Sequence, residues 1–137
     1  MAVVLDTSAV VALVVADEPE HEQVLSWMLE LDDDLVTTPL ALAEIDHVVH
    51  RRGGPAVAAR VWQDFESGAY QVRWWADALQ ETLKIARVEH GIGLVDASLV
   101  ALAERLRTDR IATLDHRHFR TLTLRRGSPF VVLPADA

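Results

Sequence analysis

The stretch Ala2-Val3-Val4-Leu5-Asp6-Thr7-Ser8, residues 2–8, decides the fold of this chain. Four apolar residues end at an aspartate, and a second apolar stretch, residues 9–16, follows at once. This order predicts a buried strand, a turn and a helix, with the Asp6 carboxylate at the carboxyl end of the strand. Residues 111–114 form a second apolar run that ends at Asp115. Because ligands of open parallel sheets bind beyond the carboxyl ends of the strands, we expect Asp6 and Asp115 to face one crevice and share a cation.

Strand and helix patterns alternate along the rest of the chain. Strands separated by helices imply right-handed crossovers, and therefore a mostly parallel sheet with helices on both faces. We expect residues 1–137 to form one α/β domain. The predicted strands are residues 3–5, 35–37, 71–74, 111–114 and 130–133. Four of the predicted helices have defined ranges: 8–15, 19–31, 39–52 and 95–106. A further helix runs from the Gly53-Gly54-Pro55 break to about Ser67, and another has Leu79, Leu83 and Ala86 on one face.

Composition narrows the class of protein. The chain has 137 residues, of which 50% are hydrophobic, and this suits one domain with a real core. The absence of cysteine excludes disulfides, thiolate metal sites and cysteine nucleophiles. The sequence offers neither the basic start of a signal peptide nor an apolar run of membrane-spanning length. We therefore expect a cytoplasmic protein.

The charge is unevenly distributed. The formal net charge is -8, yet residues 1–50 hold 11 acids and no Lys or Arg, while all 13 cations follow. Twelve of these are Arg, and seven lie between Arg105 and Arg126. A segregated surface can hold a phosphate backbone on one side, although arginine-rich helices that are simply solvated explain the same pattern.

Four acidic residues are candidates for a metal site, and three of them have an ordinary structural explanation. Asp6 and Asp96 are each placed where an aspartate caps a helix, and Asp115 is placed where a turn follows a strand. Glu44 lies well beyond the first turn of its helix, where neither capping nor the helix dipole requires it. Its helical neighbours are apolar, so we expect a partly buried carboxylate that needs a partner.

The motifs around these acids resemble those of a known family. They are Val4-Leu5-Asp6-Thr7-Ser8-Ala9, Glu44, Gly93-Leu94-Val95-Asp96-Ala97-Ser98 and Ala112-Thr113-Leu114-Asp115 with His118-Phe119. The chain resembles the PIN-domain ribonucleases, in particular the VapC-type toxins of bacterial toxin–antitoxin pairs. The resemblance implies a three-layer α/β sandwich and a Mg²⁺- or Mn²⁺-dependent endoribonuclease. It also implies a homodimer that a cognate antitoxin holds inactive.

Metal chemistry agrees with this resemblance. Carboxylates brought close together repel each other, and a divalent cation relieves the repulsion while it activates water and neutralises a phosphate. We expect Asp6, Asp96 and Asp115 to coordinate the ion, with Glu44 bound directly or through water.

Other residues near these acids have supporting or open roles. We expect Thr7 and Thr113 to orient the carboxylates by hydrogen bonds, as small hydroxyl residues do in the family. Neither His116 nor His118 is predicted to be a ligand, since the carboxylates suit a hard cation without imidazole. Arg117 and Arg120 are candidates for contacts with RNA phosphates, although solvated side chains explain them equally well. For Trp74 and Trp75 we expect a packing role rather than stacking on bases.

Two other enzyme classes with strand-end acids do not fit. A phosphoacceptor receiver domain needs a Lys after a strand, and Lys84, the single Lys, lies in a helical pattern. A haloacid-dehalogenase-type phosphatase needs an Asp where Ser8 stands. A catalytically silent module of the same fold that binds metal or protein remains an alternative. For the antitoxin, we expect a basic side chain inserted among the four acids.

Overall fold

A computed structural model describes residues 1–89, 91–124 and 127–137. Across these residues the chain forms five strands and six helices. The strands are β1 (Ala2–Leu5), β2 (Asp34–Thr37), β3 (Gln71–Val72), β4 (Arg110–Ala112) and β5 (Val131–Leu133). The helices are α1 (Thr7–Val14), α2 (His21–Leu29), α3 (Pro39–Ser67), α4 (Ala78–Val88), α5 (Leu94–Leu106) and α6 (His116–Arg120).

The strands form one parallel sheet in the order β3-β2-β1-β4-β5. The apolar first strand lies at the centre, paired with β2 on one side and β4 on the other. From β1 the chain builds the sheet outward in one direction through β3, and it later adds β4 and β5 in the other. This reversal opens a crevice beyond the carboxyl ends of β1 and β4, where parallel sheets bind ligands.

Helices cover both faces of the sheet, as the sequence predicts. Side chains alternate along β1, so Val3 and Leu5 point into one core while Val4 points into the other. The first core contains Val10 of α1 and Ile45 of α3, and the second contains Leu99 of α5. The result is the predicted three-layer α/β arrangement.

Helix α3 is kinked where the sequence predicts an end and a new start. Gly54 has φ 82° and ψ 177°, and Pro55 follows it. The indole nitrogen of Trp62 donates to a carboxylate oxygen of Asp46, 2.6 Å away, although the two residues are 16 positions apart. A straight helix would separate them by roughly 24 Å, so the two arms of α3 fold toward each other at Gly54. The first arm carries Glu44.

Several boundaries and faces differ from the sequence predictions. Helix α6 occupies a segment predicted as a loop, and β3 ends at Val72, before Trp74. On α4 the buried residues are Ala78 and Thr82, whereas Leu79 is 50% exposed, so the packed face was predicted wrongly.

Two further sequence observations concern surfaces. Part of the arginine-rich segment, Arg125 and Arg126, lies outside the described residues. Among the residues that are described, no helix combines the length and apolar composition that crossing a bilayer requires.

Candidate functional site

Asp6 stands at the junction of the central strand and the first helix. Its backbone amide donates to the carbonyl oxygen of Ala112 at 3.0 Å, which continues the β1–β4 pairing beyond the last residue of the strand. The residue is also the N-cap of α1, because its Oδ1 accepts from the amide of Thr7 at 2.8 Å. Asp6 is therefore a helix cap, as its ordinary structural explanation predicts, and it also lines the crevice. Its side chain is 6% exposed.

Two hydroxyl groups fix the other oxygen of this carboxylate. Thr113 donates from Oγ1 to Asp6 Oδ2 at 2.7 Å, and Ser8 donates to the same oxygen at 3.2 Å. The hydroxyl of Ser8 also accepts from the amide of Leu114 at 2.9 Å, and that of Thr113 accepts from the amide of Asp115 at 3.0 Å. These bonds tie the start of α1 to the end of β4 and set the direction of the Asp6 carboxylate.

Ser8 was not identified as a site residue from the sequence. Ser beside a helix start is common for local capping reasons, so its position carried no separate signal. Thr113 makes the kind of hydrogen bond expected of it. Thr7 contributes its amide instead: its buried hydroxyl has no hydrogen-bond partner among the described residues.

Burial dominates the electrostatics of Asp6. Burial, and to a smaller extent the nearby carboxylate of Asp96, raises its pKa, while hydrogen bonds from Thr113, Thr7 and Ser8 oppose the shift; the net result is a pKa of about 6 in place of 3.8. The charged form is therefore held at a cost that a cation in the crevice would remove.

Asp96 enters the crevice from the first turn of α5 and is half-buried. It does not cap this helix, because the N-cap is Gly93. Burial raises the pKa of Asp96, and the charges of Asp115 and Glu44 add to the effect, whereas His118 lowers it.

A buried hydroxyl pair sets the position of α5 against α3. The hydroxyls of Thr38 and Ser98 lie 2.8 Å apart, and Ser98 also donates to the carbonyl of Val95 at 2.7 Å. Thr38 is the N-cap of α3, followed by Pro39, as the sequence predicts. The pair therefore joins the first turns of the two helices that carry Glu44 and Asp96.

Asp115 and His118 lie together at the exposed side of the crevice. Asp115 is the N-cap residue of the short helix α6, although its side chain makes no capping bond. One turn later, His118 Nδ1 lies 2.9 Å from Asp115 Oδ2 and 3.1 Å from Asp96 Oδ2. His118 is thus a site residue that sequence reasoning set aside. Its spacing from Asp115 on a helix is the signal that would have identified it.

Glu44 is exposed, and the prediction of partial burial is wrong for this residue. On α3 the buried stripe is formed by Ala41, Ile45 and Val49. Glu44 borders that stripe on the side of the crevice, which is open to solvent. Its charge still acts on Asp96.

All four predicted acids line one cavity of about 450 Å³. Among its described lining residues are six carboxylates, those of Asp6, Glu18, Glu20, Glu44, Asp96 and Asp115, and a single guanidinium, that of Arg52. Arg52 is bound to Glu18 at 2.8 Å, so its charge is already matched at the rim. The inner part of the cavity is therefore strongly acidic.

The predicted phosphate contacts and the tryptophan pair lie outside this cavity lining. Arg120 pairs with Asp136 through two hydrogen bonds of 3.2 and 2.7 Å, so it is not a free cation, whereas Arg117 is exposed on α6. Trp75 packs against the second core and donates to Glu81 at 3.0 Å, in agreement with the packing role expected of it. Trp74 is 40% exposed.

Comparison with known proteins places this arrangement in a family. Residues 3–123 match the PIN domain model. The chain is 35% identical to Ribonuclease VapC26 of Mycobacterium tuberculosis over 134 residues, which cover 96% of this chain and 99% of that protein. It is 31% identical to Ribonuclease VapC29 of the same species over 84% of this chain and 86% of the relative. It is also 31% identical to Ribonuclease VapC3 of Pyrobaculum aerophilum, over 85% of this chain and 92% of that protein.

Solved structures share the fold at lower sequence identity. The crystal structure of Mycobacterium tuberculosis VapC20, a sarcin–ricin loop cleaving toxin, superimposes with a TM-score of 0.74 at 21% identity, over 82% of this chain and 89% of that one. VapBC2 from Rickettsia felis, bound to a DNA fragment from its promoter, gives a TM-score of 0.64 at 14% identity, over 96% of this chain and 97% of that one. The family match over most of the chain and the relatives above 30% identity agree with this fold, and the chain belongs to the VapC family of PIN-domain proteins.

Proposed function

We propose that this protein is a divalent-metal-dependent endoribonuclease that acts as the toxin of a toxin–antitoxin pair. One observation carries the proposal: four carboxylates from separate segments of the chain, those of Asp6, Glu44, Asp96 and Asp115, line a single cavity, and the one cation among its described lining residues is already paired. An RNA phosphate is repelled from such a cavity unless cations enter it. The names of the VapC relatives support RNA as the substrate.

The residues present fit a hard divalent ion. Carboxylate oxygens suit Mg²⁺ and Mn²⁺, and the cavity lining supplies them from Asp6, Asp96 and Asp115. Asp6, Asp96 and Asp115 would hold the ion, with Glu44 joining directly or through water. When bound, the ion lowers the pKa of a water molecule and neutralises charge on the attacked phosphate.

The protein's own groups prepare this chemistry in distinct ways. Thr113, Ser8 and the Thr7 amide hold the Asp6 carboxylate in one orientation, so it need not reorganise during the reaction. Glu44, which is exposed and lines the cavity, would accept a proton from the attacking water. Arg117 is exposed on α6 and remains a candidate contact for a neighbouring phosphate, whereas Arg120 is held by Asp136.

The proposal extends to partners. The toxin would form a homodimer. A small antitoxin would bind this dimer, block the acidic cavity and so hold the enzyme inactive. The structure of VapBC2 from Rickettsia felis is one in which a related fold occurs together with its partner. The strongly acidic cavity supports an inhibitor that presents a basic side chain.

The experiment that tests this function uses the purified, antitoxin-free protein. It is incubated with total cellular RNA in Mg²⁺, in Mn²⁺ and in EDTA, beside an Asp96→Asn variant, and the cleaved ends are mapped by sequencing. We expect defined cleavage sites with either ion and none with EDTA or with the variant. Metal binding without any RNA cleavage would instead favour a catalytically silent member of the fold.

A further inference from the structure

His118 faces two of the site's carboxylates and has no assigned role in the function proposed above. Its Nδ1 lies 2.9 Å from Asp115 Oδ2 and 3.1 Å from Asp96 Oδ2. One ligand atom from each of these three residues lies within 4.8 Å of the others. Two donors in adjacent positions around an octahedral ion lie roughly 3 Å apart, which follows from an ion–donor distance of roughly 2.1 Å. The imidazole nitrogen therefore lies from each carboxylate at the spacing of adjacent donors in one coordination shell, and the two carboxylates lie within 4.8 Å of each other.

The local structure holds His118 in this position. Helix α6 begins directly after Asp115, and the three-residue step on a helix brings His118 over that carboxylate. The adjacent Phe119 is fully buried and packs edge-to-face on Phe130, with ring centroids 5.6 Å apart. This anchor fixes a helix of only five residues against the core. The anchor fixes the backbone of His118, and the imidazole, 46% exposed, contacts both carboxylates from that position.

We propose that His118 is a nitrogen ligand of the metal site, and that the group Asp96, Asp115 and His118 binds Mn²⁺, Co²⁺ and Ni²⁺ more tightly than Mg²⁺. Mg²⁺ prefers oxygen ligands and retains its waters, whereas imidazole suits the transition ions, whose affinity rises from Mn²⁺ through Co²⁺ to Ni²⁺. The inference rests on the metal dependence in the proposed function and specifies which ions the site selects.

An alternative use of the same contacts is a plain ion pair. A protonated His118 would then stand where the metal's charge is needed, and it would have to leave when an ion binds. The two models predict opposite effects of removing the imidazole. If His118 is a ligand, its loss weakens transition-ion binding; if it competes with the metal, its loss strengthens the binding of every divalent ion, Mg²⁺ included.

The test measures ion binding by calorimetry on the full chain, with Mg²⁺, Mn²⁺, Co²⁺ and Ni²⁺ as separate probes. His118→Asn replaces the ring by an amide of similar reach, and His116→Asn, on the exposed surface of the same helix, is the matched control. We expect His118→Asn to lower Co²⁺ and Ni²⁺ affinity by at least about 10-fold, the lower end of the loss for even an indirect metal partner. Mg²⁺ affinity should change little, and the control should match the wild type.

A spectroscopic measurement reports nitrogen ligation directly. Pulsed EPR of the Mn²⁺-loaded wild type should show hyperfine coupling to a histidine nitrogen, which changes on ¹⁵N-histidine labelling and disappears in His118→Asn.

The outcomes separate the two hypotheses. Equal ion preference in wild type and His118→Asn, or stronger Mg²⁺ binding in the variant, overturns the ligand role alone. Failure of every ion to bind overturns both this inference and the metal dependence. Ion binding with nitrogen coupling but no RNA cleavage supports the ligand role and contradicts the proposed ribonuclease.

Discussion

The Asp6 carboxylate combines burial with negative charge, and this combination has a cost in the absence of metal. Its pKa of about 6 lies above the ordinary 3.8, with burial as the largest cause. The folded protein thus binds this proton more tightly than the unfolded chain. The free energy of unfolding therefore decreases as pH rises through the interval between these two values. Above the upper of these values, the ionised Asp6 carboxylate lowers the free energy of unfolding by its full amount, about 3 kcal/mol.

A stability measurement in EDTA tests this conflict. Asp6→Asn should raise the free energy of unfolding at pH 7.5 by up to about 3 kcal/mol and change it little near pH 4, since the penalty is then absent. Asp96, Glu44 and Asp115 line the same cavity, and His118 contacts Asp96 and Asp115. All four remain in both proteins, so the difference between the urea-unfolding curves isolates Asp6. Asp32→Asn, at an exposed loop position, is the control.

The same reasoning applies to ion binding. Mg²⁺ or Mn²⁺ at 100 times its dissociation constant should stabilise the wild type by about 2.7 kcal/mol. Curves that respond neither to the ions nor to Asp6→Asn would mean that the carboxylates do not form one site.

Catalysis should respond to these acids in the opposite direction from stability. We expect Asp6→Asn, Asp96→Asn and Asp115→Asn each to lower the RNA cleavage rate by at least about 100-fold. Metal-assisted charge stabilisation contributes several kcal/mol, and each 1.4 kcal/mol corresponds to about tenfold in rate. Cleavage of a defined RNA in Mg²⁺, with circular dichroism as the check on folding, measures this. A folded Asp96→Asn protein with near-normal activity would remove that residue from the mechanism.

Single residues were predicted well where the sequence context was unusual. Asp6 and Asp115 end apolar runs, and this alone brought them to the same crevice. The contribution of Ser8 depends on Thr113, 105 positions away, and no local pattern contains that information. Glu44 is exposed because it lines the open crevice, and the i±4 neighbours of a helix do not report such tertiary surroundings.

At the level of elements, Gly54 determines the shape of α3. Its φ of 82° and ψ of 177° lie in a region that is essentially restricted to glycine, while a Cβ at this position would meet no atom within 4 Å. Any penalty of substitution is therefore a backbone effect and not a steric clash with a neighbour.

We expect Gly54→Ala to lower the free energy of unfolding by about 1–3 kcal/mol. Gly93→Ala is the matched control, because its site is equally open and its φ is -85°. Urea unfolding of both variants gives the comparison. An equal effect of the two substitutions would show that the kink does not depend on glycine.

Element prediction failed where packing outweighed the apolar pattern. Helix α6 has five residues, and Phe119 is the only apolar one, so it shows no periodicity. In α4 the buried Thr82 replaces an apolar residue on the packed face, which led the pattern to select Leu79 instead. The strands around β1 were predicted because short apolar runs bounded by turn residues are typical of buried strands.

On the scale of the whole molecule, the charge asymmetry defines how a partner would inhibit the toxin. The acidic N-terminal part supplies Asp6 and Glu44 to the cavity, and an arginine pairs with carboxylates in bidentate fashion. We expect the antitoxin to insert one basic side chain among the four acids. Alanine substitution of each antitoxin Arg and Lys, followed by a cleavage assay on the complex, identifies that residue. If no single basic residue affects inhibition, the antitoxin covers the site from a distance.

The order of the strands has a consequence for synthesis of the chain. β1 is made first, yet its neighbour β4 and the residues Asp96 and Asp115 emerge only in the last third. Domains fold as they leave the ribosome from the N-terminus, and contacts between distant segments form late. A nascent chain that ends before α5 has two of the four acids and lacks the partner hydroxyl of Thr113. The proposed site is therefore incomplete in the nascent chain until β4 and Asp115 have been made.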